Sequence, residues 1–250
     1  MFTDTHCHLY DEYYSNIDEV LNRAKEAGVT KCITDATNYS NSLEMLDLKH
    51  KYNNVYITLG VHPEEVDKDE LDKVIELIRN TKDSIIAIGE IGLDYYWTKD
   101  NKQKQIEVFE KQLALAEELN LPVVVHSRDA TLDTITSLKK YNVKGVIHCF
   151  SGSLETAKEY IKMGYYIGVG GVITFKNANL KDVIKELPME RILLETDSPY
   201  LSPEPFRGQD NEPMRIVEIA KFIANLKGIS LEEVSRITEE NVYNLYKIKD

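Results

Sequence analysis

Met1-Phe2-Thr3-Asp4-Thr5-His6-Cys7-His8 reads as a short strand that closes on two imidazoles. Successive side chains on a strand point to opposite faces, so His6 and His8 share a face and Cys7 points away from them. Two imidazoles placed this way can reach one metal ion. An isolated His-x-His is more often a pair of ordinary histidines, so the reading depends on the rest of the chain. The same design returns repeatedly as an apolar run closed by a chemically active side chain. It recurs in Ile85-Ile86-Ala87-Ile88-Gly89-Glu90, Pro122-Val123-Val124-Val125-His126, Val146-Ile147-His148 and Ile192-Leu193-Leu194-Glu195-Thr196-Asp197.

Working outward from these runs, strands are predicted over 1–8, 31–35, 55–59, 85–90, 123–126, 145–148, 165–169 and 192–197. Helical patterns fill the intervals, over 17–27, 41–51, 70–80, 101–120, 130–141, 153–163, 179–187 and 213–227, with an extra helix at 231–246. Gly28 suits the C-terminus of the first helix. In the longest, Ile106, Phe109, Leu113, Ala116 and Leu119 recur at spacings of three and four and make one apolar face. Eight strands alternating with eight helices predict an α/β fold of the (β/α)₈ TIM-barrel type. The alternative is a doubly wound open sheet, which would carry a Gly-rich dinucleotide fingerprint after its first strand; none is present. No linker or low-complexity stretch divides the 250 residues, so one barrel domain over 1–250 is the expectation.

Composition narrows the classes. No apolar run is long enough to span a membrane, and no basic start followed by an apolar stretch marks a secretory signal. Cys7, Cys32 and Cys149 are few, odd in number and far apart, which argues against a disulfide framework and fits a cytoplasmic location. The net charge of −12 works against non-specific binding to nucleic acid.

On a barrel, chemistry sits at the C-terminal ends of the strands. His6, His8, Glu90, His126, His148 and Asp197 fall there in the predicted fold. Each has an ordinary explanation alone, as a core histidine or a helix-leading carboxylate. Six together exceed the four ligands of a structural zinc and suit two metal ions sharing a carboxylate, with Glu90 the candidate bridge. The donor set accepts zinc, manganese, cobalt or magnesium. His62, in Gly60-Val61-His62-Pro63, is a seventh ligand, a substrate contact or a turn residue, with substrate contact preferred. Arg128 and Arg207 are rim cations able to hold a phosphate through paired hydrogen bonds, or else surface ion-pair partners. Tyr95-Tyr96-Trp97 either stacks on bases or caps the barrel. Gly168-Val169-Gly170-Gly171 lacks the Lys-Ser/Thr pair of a phosphate cradle and reads as a tight turn, while His50 reads as a solvated helix residue.

The segments Asp4-Thr5-His6-Cys7-His8-Leu9, Gly60-Val61-His62-Pro63 and Gly89-Glu90-Ile91-Gly92-Leu93-Asp94-Tyr95-Tyr96 together resemble the TatD-like metal-dependent deoxyribonucleases of the amidohydrolase superfamily. The resemblance continues through His126-Ser127-Arg128-Asp129-Ala130, His148-Cys149-Phe150-Ser151-Gly152, Glu195-Thr196-Asp197-Ser198-Pro199-Tyr200-Leu201 and Asn211-Glu212-Pro213, nearly the whole chain in order. It implies a (β/α)₈ barrel with a two-metal centre. By resemblance, His6, His8, Glu90 and Asp197 surround one ion, and Glu90, His126 and His148 hold the other. One departure is Gln209-Asp210 after Arg207-Gly208, where the family often has a basic residue.

The expected function is hydrolysis of phosphodiester bonds by an exonuclease-type deoxyribonuclease. Water made acidic by the ions would attack phosphorus, with Asp197 and Glu90 as the catalytic carboxylates and Asp197 orienting or deprotonating the water. His62, Arg128 and Arg207 are the expected substrate contacts. The acidic charge favours DNA ends or short single strands over long duplex, with no membrane or obligate protein partner. An amide or ester hydrolase, such as an aminoacyl-tRNA deacylase, would use nearly the same metal chemistry and stays open. So does a non-enzymatic binding module, against which six intact ligand positions speak.

Overall fold

Short runs rich in Val and Ile form strands, because branched side chains fit a pleated surface covered on both faces. The computed structural model describes residues 1–248. Among the described residues the strands are β1 (Phe2–Cys7), β2 (Val29–Asp35), β3 (Val55–Leu59), β4 (Ala87–Asp94), β5 (Val123–Arg128), β6 (Gly145–Ile147), β7 (Tyr166–Val169) and β8 (Ile192–Leu194). The intervening helices are α1 (Ile17–Glu26), α2 (Tyr39–Lys51), α3 (Leu71–Thr81), α4 (Lys102–Leu119), α5 (Thr131–Leu138), α6 (Leu154–Lys162), α7 (Leu180–Glu186) and α8 (Ile216–Lys227), and α9 (Leu231–Tyr246) is the predicted extra helix. One eight-stranded sheet runs in chain order from β1 to β8, the (β/α)₈ barrel expected from the alternation.

Several boundaries differ from expectation, and some bear on the site: β1 stops at Cys7 and β6 at Ile147, each one residue short of its histidine. Strand β4 does not end at Glu90 but continues to Asp94. Gly92 makes this possible: its φ is +147°, and a Cβ there would stand 2.0 Å from the carbonyl oxygen of His126. Strand β5 runs past His126 to Arg128. Strand β8 stops at Leu194, three residues before Asp197, whose own φ of 55° is left-handed and incompatible with a strand. The predicted helix over 213–227 opens as a 3₁₀ turn, Pro213–Arg215, before α8 begins. The glycine stretch after β7 leads into another 3₁₀ turn, Gly171–Thr174.

The chain divides into two compact units. One comprises Met1–Thr34, Cys149–Lys162 and the described residues from Tyr166 on. Within it β1 pairs with β2 and β7 with β8, both in parallel. The segment after β8 is stitched to β1 by Asp197 N–H donating to the His6 carbonyl at 2.9 Å and His8 N–H donating to the Ser198 carbonyl at 2.8 Å. The buried Asp4 carboxylate reinforces the seam by accepting from the Thr196 N–H at 2.9 Å and the Thr196 hydroxyl at 2.5 Å. Buried Asn211 shapes the same segment, donating through Nδ2 to the carbonyls of Thr196 at 2.9 Å and Tyr200 at 2.7 Å.

The other unit comprises Asp35–His148 and Met163–Tyr165. Its strands β3 to β6 form a parallel ladder, irregular between Ile88 and Ile91. Helix α4 packs through Phe109, Leu113 and Ala116 as its apolar pattern predicts, but buries Gln105 and Gln112 beside them. Each glutamine is a two-bond clasp on backbone. Gln112 accepts from Val61 N–H at 2.7 Å and donates to the Val61 carbonyl at 3.0 Å. Gln105 accepts from Asp94 N–H and donates to the Asp94 carbonyl, both at 2.9 Å. The segments bearing His62 and Asp94 are thereby fixed to a helix rather than left to loop entropy.

Gln112→Leu keeps the volume but leaves a buried N–H and a buried carbonyl unmet. The expected loss is about 1–3 kcal/mol, which for a chain of this size lowers Tm by about 2–10 °C. Thermal unfolding of the variant checks this, and an unchanged Tm would show that water or a neighbour replaces the clasp.

Candidate metal centre

A buried carboxylate must be paired or bound to metal to offset its lost hydration. In the second unit, one oxygen of the buried Glu90 side chain meets three imidazoles. Its Oε1 lies 2.6 Å from His148 Nε2, 2.9 Å from His126 Nδ1 and 3.4 Å from His62 Nε2. Burial alone would raise the Glu90 carboxyl, but the imidazoles of His148, His62 and His126 outweigh it and hold the group well below the usual carboxylate range.

The far side of His126 is engaged as well. Its Nε2 lies 2.9 Å from Asp94 Oδ2, while Asp94 Oδ1 accepts from the N–H of Tyr96 at 2.8 Å. Burial disfavours the His126 imidazolium, yet the carboxylates of Asp94 and Glu90 lift its pKa to about 9. A histidine held by a carboxylate on one nitrogen presents the other in a fixed tautomer and direction, the usual support of a metal-ligating imidazole. Asp94, to which sequence reasoning assigned no role, is thus part of this imidazole–carboxylate cluster. The available signal was spacing: four residues beyond Glu90 on a strand, it shares Glu90's face.

In the first unit, His6 and His8 meet at 5.0 Å between ring centroids, nearly perpendicular, as the one-face reading requires. Asp197 Oδ1 lies 3.6 Å from His6 Nε2 and 3.4 Å from His8 Nε2. The other His8 nitrogen, Nδ1, lies 3.2 Å from the Tyr10 hydroxyl. Sequence reasoning also passed over Glu195, buried two residues before Asp197 within an apolar stretch. Its Oε1 accepts from the Cys149 N–H. Burial pushes its carboxyl up to about 8, and pushes that of Asp4 up to about 7.

The donors are imidazole nitrogens and carboxylate oxygens, buried or nearly so and converging at short range. His62, Glu90 and His126 each offer a ligand atom within 4.8 Å of the others. Such a set suits a divalent cation of borderline softness. His62 therefore stands among groups able to hold a metal, and it also accepts from Glu64 N–H at the start of a 3₁₀ turn. The rim cations are placed differently. Arg128 is exposed, with its guanidinium 3.7 Å above the Tyr96 ring and 5.5 Å from that of Trp97. Arg207, also exposed, lies 4.1 Å over Phe175. Tyr95 is buried and donates to Asp133, whereas Tyr96 and Trp97 face solvent.

Two outcomes follow from the His126 environment. Asp94→Asn removes its charged partner and is expected to weaken divalent-ion binding about 10- to 100-fold, read by calorimetry on chelator-stripped protein. The pH dependence has a definite sign. Below about 9 the metal-free His126 carries a proton that an incoming cation must displace. Apparent affinity should thus rise with pH up to about 9, with proton release at neutral pH. Titrations in buffers of different ionisation enthalpy measure it, and uptake without proton release would contradict the assigned state.

Known proteins share this arrangement of elements. A family model described as TatD-related DNase matches residues 3–247. An uncharacterised metal-dependent hydrolase of Bacillus subtilis, YabD, is 43% identical, covering 99% of this chain and 100% of its own. The crystal structure of YjjV, a TatD homologue from Escherichia coli, superposes with a TM-score of 0.93 at 33% identity, covering 99% of this chain and 98% of that one. A TatD-family hydrolase from Entamoeba histolytica superposes with a TM-score of 0.88 at 30% identity, covering 98% and 97%. With the fold, the whole-chain match and the imidazole–carboxylate clusters in agreement, the chain belongs to the TatD-related DNase family of metal-dependent hydrolases.

Proposed function

We propose that the chain hydrolyses phosphodiester bonds as an exonuclease-type deoxyribonuclease acting on DNA ends or short single strands. The observation that carries the reading is Arg128. It ends the strand that bears His126, two residues away and so on the same face. It is exposed, and its guanidinium carbon lies 3.7 Å from the centre of the Tyr96 ring. A planar guanidinium so placed suits the paired oxygens of a phosphate. A neutral acyl group offers it nothing comparable.

In this reading His6, His8 and Asp197 would hold one divalent ion, and Glu90, His126 and His148 would hold another. Magnesium, manganese, zinc or cobalt would satisfy the donors. Such ions supply Lewis acidity toward the phosphoryl oxygens and make water a stronger acid. Asp197 orients the attacking water and takes its proton. His62 and Arg128 hold the phosphate, and Arg207 steadies the nucleic acid further out. The net charge of −12 repels long duplex, so attraction is local to the ions and these cations.

Protein stripped by chelator and reloaded with each metal should cleave a short single-stranded oligonucleotide faster than duplex. Turnover of an acylated substrate with none of the oligonucleotide would sink the reading. Arg128→Ala should lower kcat/KM on the oligonucleotide by about 10- to 100-fold, the loss expected for one charge-assisted hydrogen bond. Arg128→Lys should recover only part of it, because an ammonium cannot reproduce the planar fork. Metal content is verified first, and full activity in the alanine variant would remove Arg128 from the site.

A further inference from the structure

The first unit carries a group of tyrosines that the chemistry above does not use. Tyr10 is buried, with its hydroxyl 3.2 Å from His8 Nδ1. Tyr13 stacks on Tyr10 at 5.4 Å between centroids and 24° between planes. Tyr200 stands against Tyr13 at 5.8 Å and 75°, and the two hydroxyls meet at 2.7 Å. Tyr200 also lies edge-on to His8 at 6.2 Å. Yet Tyr13 and Tyr200 remain 38% and 48% exposed.

Single exposed aromatics are ordinary. Here two rings form a corner, are locked by their hydroxyls and are backed by a third, buried ring. Their backbones are fixed too. Tyr13 N–H donates to the Tyr10 carbonyl at 3.0 Å, and the Tyr200 carbonyl accepts from buried Asn211 at 2.7 Å. Neighbouring Tyr14 shows the structural alternative: it is buried, with its hydroxyl donating to the Asn211 carbonyl at 3.0 Å. The Tyr13–Tyr200 corner is instead a preorganised aromatic surface facing solvent one ring away from His8. A planar aromatic ligand would find little ordering cost there.

We infer that Tyr13 and Tyr200 form a stacking subsite for the nucleobase of the nucleotide whose phosphodiester is cut. The inference rests on the phosphodiester reading and deepens it, because base stacking is sequence-tolerant and suits single-stranded substrate. It makes the protein a reader of base-bearing ends, not of phosphate alone.

The test uses manganese-loaded protein and a cleavage-resistant phosphorothioate trinucleotide, intact or with an abasic terminal sugar, with binding followed by fluorescence polarisation. The intact ligand should bind about tenfold more tightly, as for the loss of one stacked base. Tyr13→Ala and Tyr200→Ala should collapse that ratio toward one, while Tyr13→Phe and Tyr200→Phe should keep most of it, since the ring is retained. Circular dichroism and metal content verify each variant. Equal binding of the two ligands by the parent protein, no binding of either, or a ratio that survives the double alanine variant would each overturn the subsite. Cleavage of the unmodified trinucleotide is scored separately. Base-dependent binding without cleavage would sink the phosphodiester reading and leave the stacking site standing, whereas cleavage without base dependence would do the reverse.

Discussion

The constraint behind the second unit's chemistry is the burial of Glu90. Three imidazole nitrogens surround a single carboxylate oxygen, at 2.6, 2.9 and 3.4 Å. Removing a carboxylate from water costs several kcal/mol unless close partners offset it. The arrangement therefore requires that His62, His126 and His148 all stay in place together, and much of the local architecture serves that end. Strand β4 is extended by Gly92 until Asp94 can hold His126 from behind, and Gln105 holds Asp94 by its backbone. Gln112 holds the segment leading into His62 in the same manner. Two glutamines on the buried face of one helix thus carry positional information to two of the strand ends.

The first unit solves the same problem with different groups. Asp197 lies beyond the end of its strand, where no ladder would fix it. Backbone bonds to β1, the Asp4 carboxylate on Thr196 and the Asn211 amide on Thr196 and Tyr200 hold it instead. A left-handed residue at Asp197 is tolerated because Asp adopts that conformation more readily than most side chains. The buried carboxyls of Asp4 and Glu195 sit at about 7 and about 8, so these groups hold protons in neutral solution more readily than surface acids do. Polar groups deep in a barrel would be a liability without such bonds. With them, they hold the backbone that carries Asp197 against β1.

In the proposed activity, a chain of net charge −12 would have to attract a polyanionic substrate locally. Exposed aromatic and guanidinium groups do this without a broad basic surface. In one unit Arg128 lies on Tyr96, and in the other Tyr13 and Tyr200 form a corner beside His8. Stacking is weakly dependent on salt and indifferent to net charge, which makes it suited to such a protein.

Much of this was legible in the sequence. The apolar runs and the 3.6-residue patterns between them determine an alternating α/β chain, and the His, Glu and Asp residues that follow those runs stand out as candidate metal donors. Period-two alternation places His6 beside His8, and the structure agrees. Local pattern could not say that β4 continues past Glu90, because the space beside Gly92 is set by a strand more than thirty residues away. Nor could it say that Gln105 and Gln112 are buried, since glutamine on a helix ordinarily faces water and only their long-range backbone partners make burial favourable. Tyr10, Tyr13 and Tyr200 read as scattered tyrosines until the fold brings residues nearly two hundred positions apart within hydrogen-bonding distance. Sequence alone determined which imidazoles and carboxylates are the candidates to hold a metal, because their types and spacing are local properties. Tertiary structure decided which way each one points and what stands behind it, because those depend on contacts between segments far apart in the chain.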